Sequence, residues 1–155
     1  MIQPAPGRSP TVERRADDDA AWLAVFACWL IATASTLGAL FFSEVMKLPP
    51  CELCWWQRIF MFPLVLTLPL GLFPFDPRVV RYALPLALVG WGFAVFHWLL
   101  VQGVIPENIR PCVQGVPCSE VTFELLGFLN IPLMAVLAFS AIIALLALTH
   151  LKVSK

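Results

Sequence analysis

The sequence predicts an all-α protein, an integral membrane four-helix bundle with both termini cytoplasmic and two cysteine-bearing outer loops. Three observations carry this. The chain has 155 residues, 60% hydrophobic and 13% charged, against about 25% charged in a soluble domain. Its apolar residues gather into four runs free of Asp, Glu, Lys and Arg: 20–43 (24 residues), 59–75 (17), 82–106 (25) and 125–151 (27, including His150). Its positive charges divide unequally between the two ends of those runs.

A helix needs about 20 residues to cross roughly 30 Å of hydrocarbon. The first, third and fourth runs are long enough. The second covers only about 25 Å at ~1.5 Å per residue, so its helix must begin near Cys54. Spans are therefore expected near 20–42, 54–73, 80–103 and 127–149. A soluble core would alternate polar and apolar faces, and these runs do not. The first run exceeds a signal-peptide core of about 7–15 residues, lacks an A-x-A site and follows an acidic stretch, so it is expected to stay on the chain.

Residues 1–19, rich in Pro, Arg and Asp, read as a disordered cytoplasmic tail. Residues 20–151 form the expected transmembrane domain, and 152–155 a short C-terminal tail. In the first span Ala34, Ser35, Gly38 and Ala39 are small enough for close helix packing, and Cys28 reads as a small buried hydrophobe. Pro49-Pro50 hold the chain extended ahead of Cys51. The second span opens there, and residues 73–77 make a tight inner turn to the third. Pro63, Pro69, Pro85 and Pro132 fall within spans or at their ends and are expected to kink them, as neighbouring helices allow. Trp22, Trp55, Trp56 and Trp98 lie near span ends and read as interface anchors, with lining a site as the alternative for Trp55 and Trp56. Residues 121–126 are expected to lie along the membrane surface before the fourth span.

Four spans put the termini and the middle loop on one side. Arg8, Arg14, Arg15, Arg78, Arg81, Lys152 and Lys155 fall there, against Lys47, Arg58 and Arg110 opposite, seven to three. The positive-inside rule then places the termini in the cytoplasm, and acidic residues such as Asp17 to Asp19 count little towards it. Cys51, Cys54, Cys112 and Cys118 consequently face outward, where disulfides persist. In a bacterium this is the periplasm or the cell exterior. A net charge of zero gives no basis for a nucleic-acid partner.

The chemistry-bearing segment is Cys51-Glu52-Leu53-Cys54-Trp55-Trp56-Gln57-Arg58. A C-x-x-C at a helix start keeps two sulfurs within reach of one disulfide, and the free N–H groups and dipole there favour a thiolate. Cys54 lies deeper and is the better placed to meet a lipid-soluble oxidant. Arg58, four residues on, shares its helical face. A guanidinium at the hydrocarbon edge is costly and marks a functional site, where it can bond a quinone oxygen and stabilise negative charge. The bland alternative is snorkelling towards the headgroups. His97, at a similar depth on the third span, either hydrogen-bonds a quinone or modulates the thiolate, or simply bonds a neighbouring helix. The second pair, Cys112 and Cys118, closes a small loop with Gly115 and Pro117 in it. A soluble partner could form a mixed disulfide there. Structural disulfides are the competing reading, although a bridge across two residues constrains little chain. Another is a zinc site built from C-x2-C and C-x5-C.

The run from Cys51 to Leu64, C-x-L-C-W-x-Q-R-I-x-M-x-P-L, resembles the motif of the DsbB/BdbC quinone-dependent thiol oxidoreductases. Pro111-Cys112, Val116-Pro117-Cys118-Ser119, Gly127-Phe128 and Ile131-Pro132 are similar to the later part of the BdbC-type branch. The resemblance spans roughly residues 20–150. It implies a bacterial cytoplasmic-membrane enzyme in which Cys112 and Cys118 exchange with a DsbA-like thioredoxin-fold partner. Electrons would pass to the Cys51–Cys54 disulfide, and Cys54 would react with a quinone (ubiquinone or menaquinone) stabilised by Arg58. The spacing between Cys112 and Cys118 is shorter than in the best-known members, which separate that pair by an amphipathic stretch. The chain is also similar in outline to the vitamin K epoxide reductase-like proteins, but those place the loop pair before the C-x-x-C. A non-catalytic scaffold with structural disulfides or zinc is the alternative from another class. A reductant exporter would need cysteines open to the cytoplasm or within the spans, where only Cys28 lies.

Overall fold

The computed structural model describes residues 10–105, 124–125 and 129–153. Cys112 and Cys118 lie outside them, as do residues 1–9 and most of the stretch expected on the membrane surface. The described chain is all-helical, with four helices long and apolar enough to cross a membrane. They are α1 (Pro10–Leu40), α2 (Glu52–Leu72), α3 (Val79–Val101) and α4 (Ile131–Val153). The only strands among the described residues are a two-residue antiparallel pair ahead of α4, Glu124 opposite Asn130 and Leu125 opposite Leu129.

Helix boundaries differ from the sequence expectation most clearly at the starts of α1, α2 and α4 and at the end of α4, which runs to Val153 rather than near 149. Residues 10–19, expected to be disordered, continue α1. Pro10 occupies the first helical position, where its missing N–H costs nothing, and no other breaker follows. Charge keeps Arg14, Arg15 and Asp17 to Asp19 in solvent but does not stop the helical ladder. Helix α2 begins at Glu52 and runs 21 residues, enough for about 30 Å. Helix α4 starts at Ile131 rather than near 127, because Asn130 caps it: its side-chain oxygen accepts the Leu133 N–H at 3.0 Å. Pro132 in the first turn has no N–H to satisfy.

Helices α1 and α3 each pack against α2 and α4, so the four follow one another round the bundle in chain order. One core runs through it, including Val25, Cys28, Leu64, Leu68, Ala83, Ala87, Phe139, Ile142 and Leu146, all fully buried. The Cys28 thiol points at the Ile142 carbonyl, 3.7 Å away. Leu23, Leu37, Leu66, Leu70 and Leu148 are more than half exposed, which suits helices facing lipid. Close approach depends on glycine at two places. A Cβ on Gly71 would collide with Val79, and one on Gly90 would lie 2.5 Å from the Phe139 ring.

Beyond Leu40 the chain widens into a π-helical turn, Phe41–Val45. Lys47, in the left-handed region at φ 55°, then redirects it into Leu48-Pro49-Pro50. Such turns cost local strain and recur beside functional sites.

Candidate active site

The extended Pro49-Pro50 segment delivers Cys51 to the start of α2 with φ −71° and ψ 170°. Cys51 is itself the N-cap: its sulfur accepts the Cys54 N–H at 3.4 Å, and its carbonyl accepts the Trp55 N–H at 3.2 Å. The two sulfurs lie 3.0 Å apart. Cys51 is 3% exposed, whereas Cys54 is half-buried and the more open of the two.

His97 is fully buried on α3 and faces this pair. Its Nε2 is 3.7 Å from the Cys51 sulfur, and its Nδ1 is 3.0 Å from the Gln57 side-chain nitrogen. The Gln57 amide donates to Nδ1, which fixes Nδ1 as an acceptor and leaves the ring proton on Nε2, aimed at Cys51. The histidine thus bonds a neighbouring helix and attends the thiol at once. Gln57 did not emerge from the sequence reading as a site residue. Its signal was a polar residue in an apolar span, three positions after Cys54 and so on the same helical face.

These contacts set the acidity of Cys51. Its thiol is drawn down to about 4, foremost by the hydrogen bond from the Cys54 thiol and then by the His97 ring. Burial works the other way but does not win. A sulfur at a helix N-terminus with two donors aimed at it is held as thiolate.

Arg58 is held against the end of α1 and against Trp55. Its Nη2 donates to the Ala39 carbonyl at 2.8 Å, and the guanidinium lies 5.3 Å over the Trp55 ring. Ala39 stands where α1 gives way to the π-turn, and its carbonyl also accepts the Ser43 hydroxyl at 3.1 Å. Among the described residues the Arg58 bond to Ala39 is one bond from a group with five N–H donors.

Between α1, α2 and α4 a cavity of about 330 Å³ opens on both sulfurs, Gln57 and Arg58. Its walls are mostly apolar, including Phe42, Met61, Phe62, Met134 and Phe139. The small residues of α1, expected to bring helices together, instead line this space: Ala34, Ser35, Gly38 and Ala39 all border it. A Cβ on Gly38 would meet nothing within 4 Å. Of the six candidate residues, Cys51, Cys54 and Arg58 line this cavity, His97 reaches Cys51 without lining it, and Cys112 and Cys118 lie outside the described residues.

The family model for disulfide bond formation protein DsbB matches residues 19–149. The chain belongs to the DsbB family. It is 44% identical over 124 residues to disulfide bond formation protein C of Bacillus subtilis, covering 80% of this chain and 90% of that one. A probable disulfide formation protein of Metapseudomonas resinovorans is 45% identical over 126 residues, 81% and 88% of the two chains. One from Deinococcus radiodurans is 40% identical over 132 residues, 79% and 86%. No solved structure matches. Membership in the DsbB family and four membrane-length helices make this a multi-pass membrane protein with an oxidoreductase role in disulfide bond formation.

Proposed function

We propose that the protein is a thiol:quinone oxidoreductase of the bacterial cytoplasmic membrane. In this reading it reoxidises a DsbA-like thioredoxin-fold protein at Cys112 and Cys118 and passes the electrons through Cys51 and Cys54 to a membrane quinone. The observation that carries the reading is the cavity: an apolar space ending on two sulfurs 3.0 Å apart and one guanidinium. Its volume falls within the roughly 300–1,000 Å³ of small-molecule sites. Aromatic and aliphatic walls suit a flat ring and its tail, and Arg58 would hold a ring oxygen.

A bound quinone supplies a sink for two electrons and two protons. The chain's own residues prepare the sulfurs. With Cys51 already a thiolate, Cys51 and Cys54 give up two electrons and one proton, that of Cys54, as they close to a disulfide. The second proton comes from solvent, to which Cys51 has already lost its own. His97 holds charge on Cys51 through its Nε2–H, and Gln57 keeps that proton on Nε2. Arg58 places positive charge beside Cys54, where negative charge must be stabilised. The positive-inside count, with Arg78, Arg81 and Lys152 at the end of the bundle opposite Lys47 and Arg58, supports an outward-facing site.

Purified protein mixed with a soluble quinone and an excess of reduced thioredoxin-fold protein should consume quinone catalytically, followed by its absorbance. Cys54→Ser should abolish turnover. Full activity in that variant removes Cys54 from the route.

A further inference from the structure

Three side chains from two helices converge at the start of α2. The sulfurs of Cys51 and Cys54 and Nε2 of His97 all lie within 4.8 Å of one another. We propose that the reduced Cys51–Cys54–His97 cluster is a binding site for a thiophilic divalent ion of the zinc class, which traps the dithiol in its reduced state.

The spacing is close to what such an ion needs. A tetrahedral centre with bonds of about 2.3 Å to sulfur and about 2.0 Å to nitrogen sets sulfur and nitrogen about 3.5 Å apart, and two sulfurs about 3.8 Å apart. Cys51 Sγ and His97 Nε2 are already at 3.7 Å, and the sulfurs at 3.0 Å. The sulfurs need part by less than about 1 Å. Cys54 Sγ, within 4.8 Å of Nε2, needs to settle at about 3.5 Å from it, which a side-chain rotation at the helix start would bring about. Both cysteines line the cavity, which offers room for a fourth ligand.

Charge and surroundings favour it as well. Two thiolates and a neutral imidazole cancel a 2+ ion, so the buried cluster stays neutral and avoids the cost of an unpaired charge. A ligating histidine commonly has its other ring nitrogen bonded to a fixed partner. Gln57 sits 3.0 Å from Nδ1. When Nε2 binds the ion the ring proton moves to Nδ1, and the Gln57 amide accepts it by turning its oxygen inward. The zinc alternative raised by the sequence joined the two cysteine pairs and lacked a histidine. Here His97 supplies the third ligand, and the loop pair is not required.

Uptake exchanges S–H bonds for metal–sulfur bonds, releasing up to two protons and moving no electrons. Closing the Cys51–Cys54 disulfide removes both thiolates, so the ion and the electron acceptor compete for the same sulfurs. Binding itself does not depend on the function proposed above. Its effect on turnover does.

The test titrates full-length, detergent-purified, reduced protein with Cd²⁺, followed by cadmium–thiolate absorbance, and with Zn²⁺ against a chromophoric chelator. Expected are one ion per chain, no binding after oxidation, and unchanged binding in a Cys112→Ser/Cys118→Ser double variant. His97→Ala should weaken the affinity at least tenfold. His97→Gln, which keeps side-chain bulk and hydrogen bonding, should do the same if the alanine variant fails to fold. No binding by the reduced protein, undiminished affinity in the folded His97 variant, or loss of binding in the double variant would overturn the site. Metal-free quinone reduction is measured in parallel. Its failure alone strikes the proposed function and leaves the ion site standing, and the converse holds too.

Discussion

At the scale of single residues the site combines groups that each restrain another. Arg58 is the clearest case. It bonds the Ala39 carbonyl, lies over Trp55 and lines the cavity. Replacing it by alanine should raise KM for quinone and lower kcat/KM about 10- to 100-fold, the worth of one hydrogen bond to a charged group at about 1.5–3 kcal/mol. Arg58→Lys should recover little of this, since an ammonium has neither the fork nor the stacking plane. Unchanged quinone dependence in both variants would leave Arg58 with a structural role only. The Cys51 thiol gives a second prediction. Its acidity is displaced from the ordinary value of 9.0 to about 4. A depressed value means that the stabilisation of the folded, reduced form is complete above about 9 and is lost as pH falls through about 4. In a variant retaining only Cys51 and Cys54, ultraviolet thiolate absorbance from one group should persist on acidification through neutrality and fade only near pH 4. His97→Ala should move that midpoint upward by removing the Nε2–H donor. Titration at the ordinary thiol value in the parent would show that the two donors do not act on Cys51.

Among the elements, helix contacts divide between those that close the bundle and those that hold the cavity open. On α3, Gly90 faces inward and Gly92 outward, two residues and about 200° of helix rotation apart. A Cβ at Gly90 would stand 2.5 Å from the Phe139 ring and 2.9 Å from the Phe60 Cβ, while one at Gly92 meets nothing within 4 Å. Both neighbours of Gly90 are held, Phe139 by full burial and Phe60 by stacking on Phe93. Gly90→Ala should therefore destabilise the protein by about 1–3 kcal/mol, the usual cost of overpacking. Gly92→Ala should be neutral or slightly stabilising, because alanine is the better helix former. Thermal unfolding in detergent compares the two directly. Equal behaviour would mean that α3 and α4 can part without penalty. On α1 the small residues serve the opposite purpose. The sequence shows that Ala34, Ser35, Gly38 and Ala39 share a face, but not whether a neighbour fills the space they leave. Among the described residues they border the cavity together with Phe42 and Ile131.

For the whole molecule, the bundle was legible in the sequence because charge-free runs of membrane length admit few other folds. The start of α1 was not, since Pro, Arg and Asp report a preference for water and say little about whether solvated residues coil or continue a helix. Of the site, Cys51, Cys54 and Arg58 could be placed together by helical spacing alone. The partnership of His97 with Gln57 could not, because it joins residues 40 apart across two helices. Orientation is a property of the whole chain, and its charges predict it. Arg14, Arg15, Arg78, Arg81 and Lys152 gather at one end of the bundle, and Lys47 and Arg58 at the other, where the cavity lies. The positive-inside rule expects the positive end to stay in the cytoplasm, which would put the sulfurs in the oxidising compartment, where disulfides persist. Single cysteines placed at Lys47 and Lys152, in a background with the native cysteines replaced by serine or alanine, report each end separately. Intact cells treated with a membrane-impermeant maleimide should label Lys47→Cys and spare Lys152→Cys, and permeabilisation should expose both. The reverse pattern would put the dithiol in the reducing cytoplasm and end the case for outward disulfide formation.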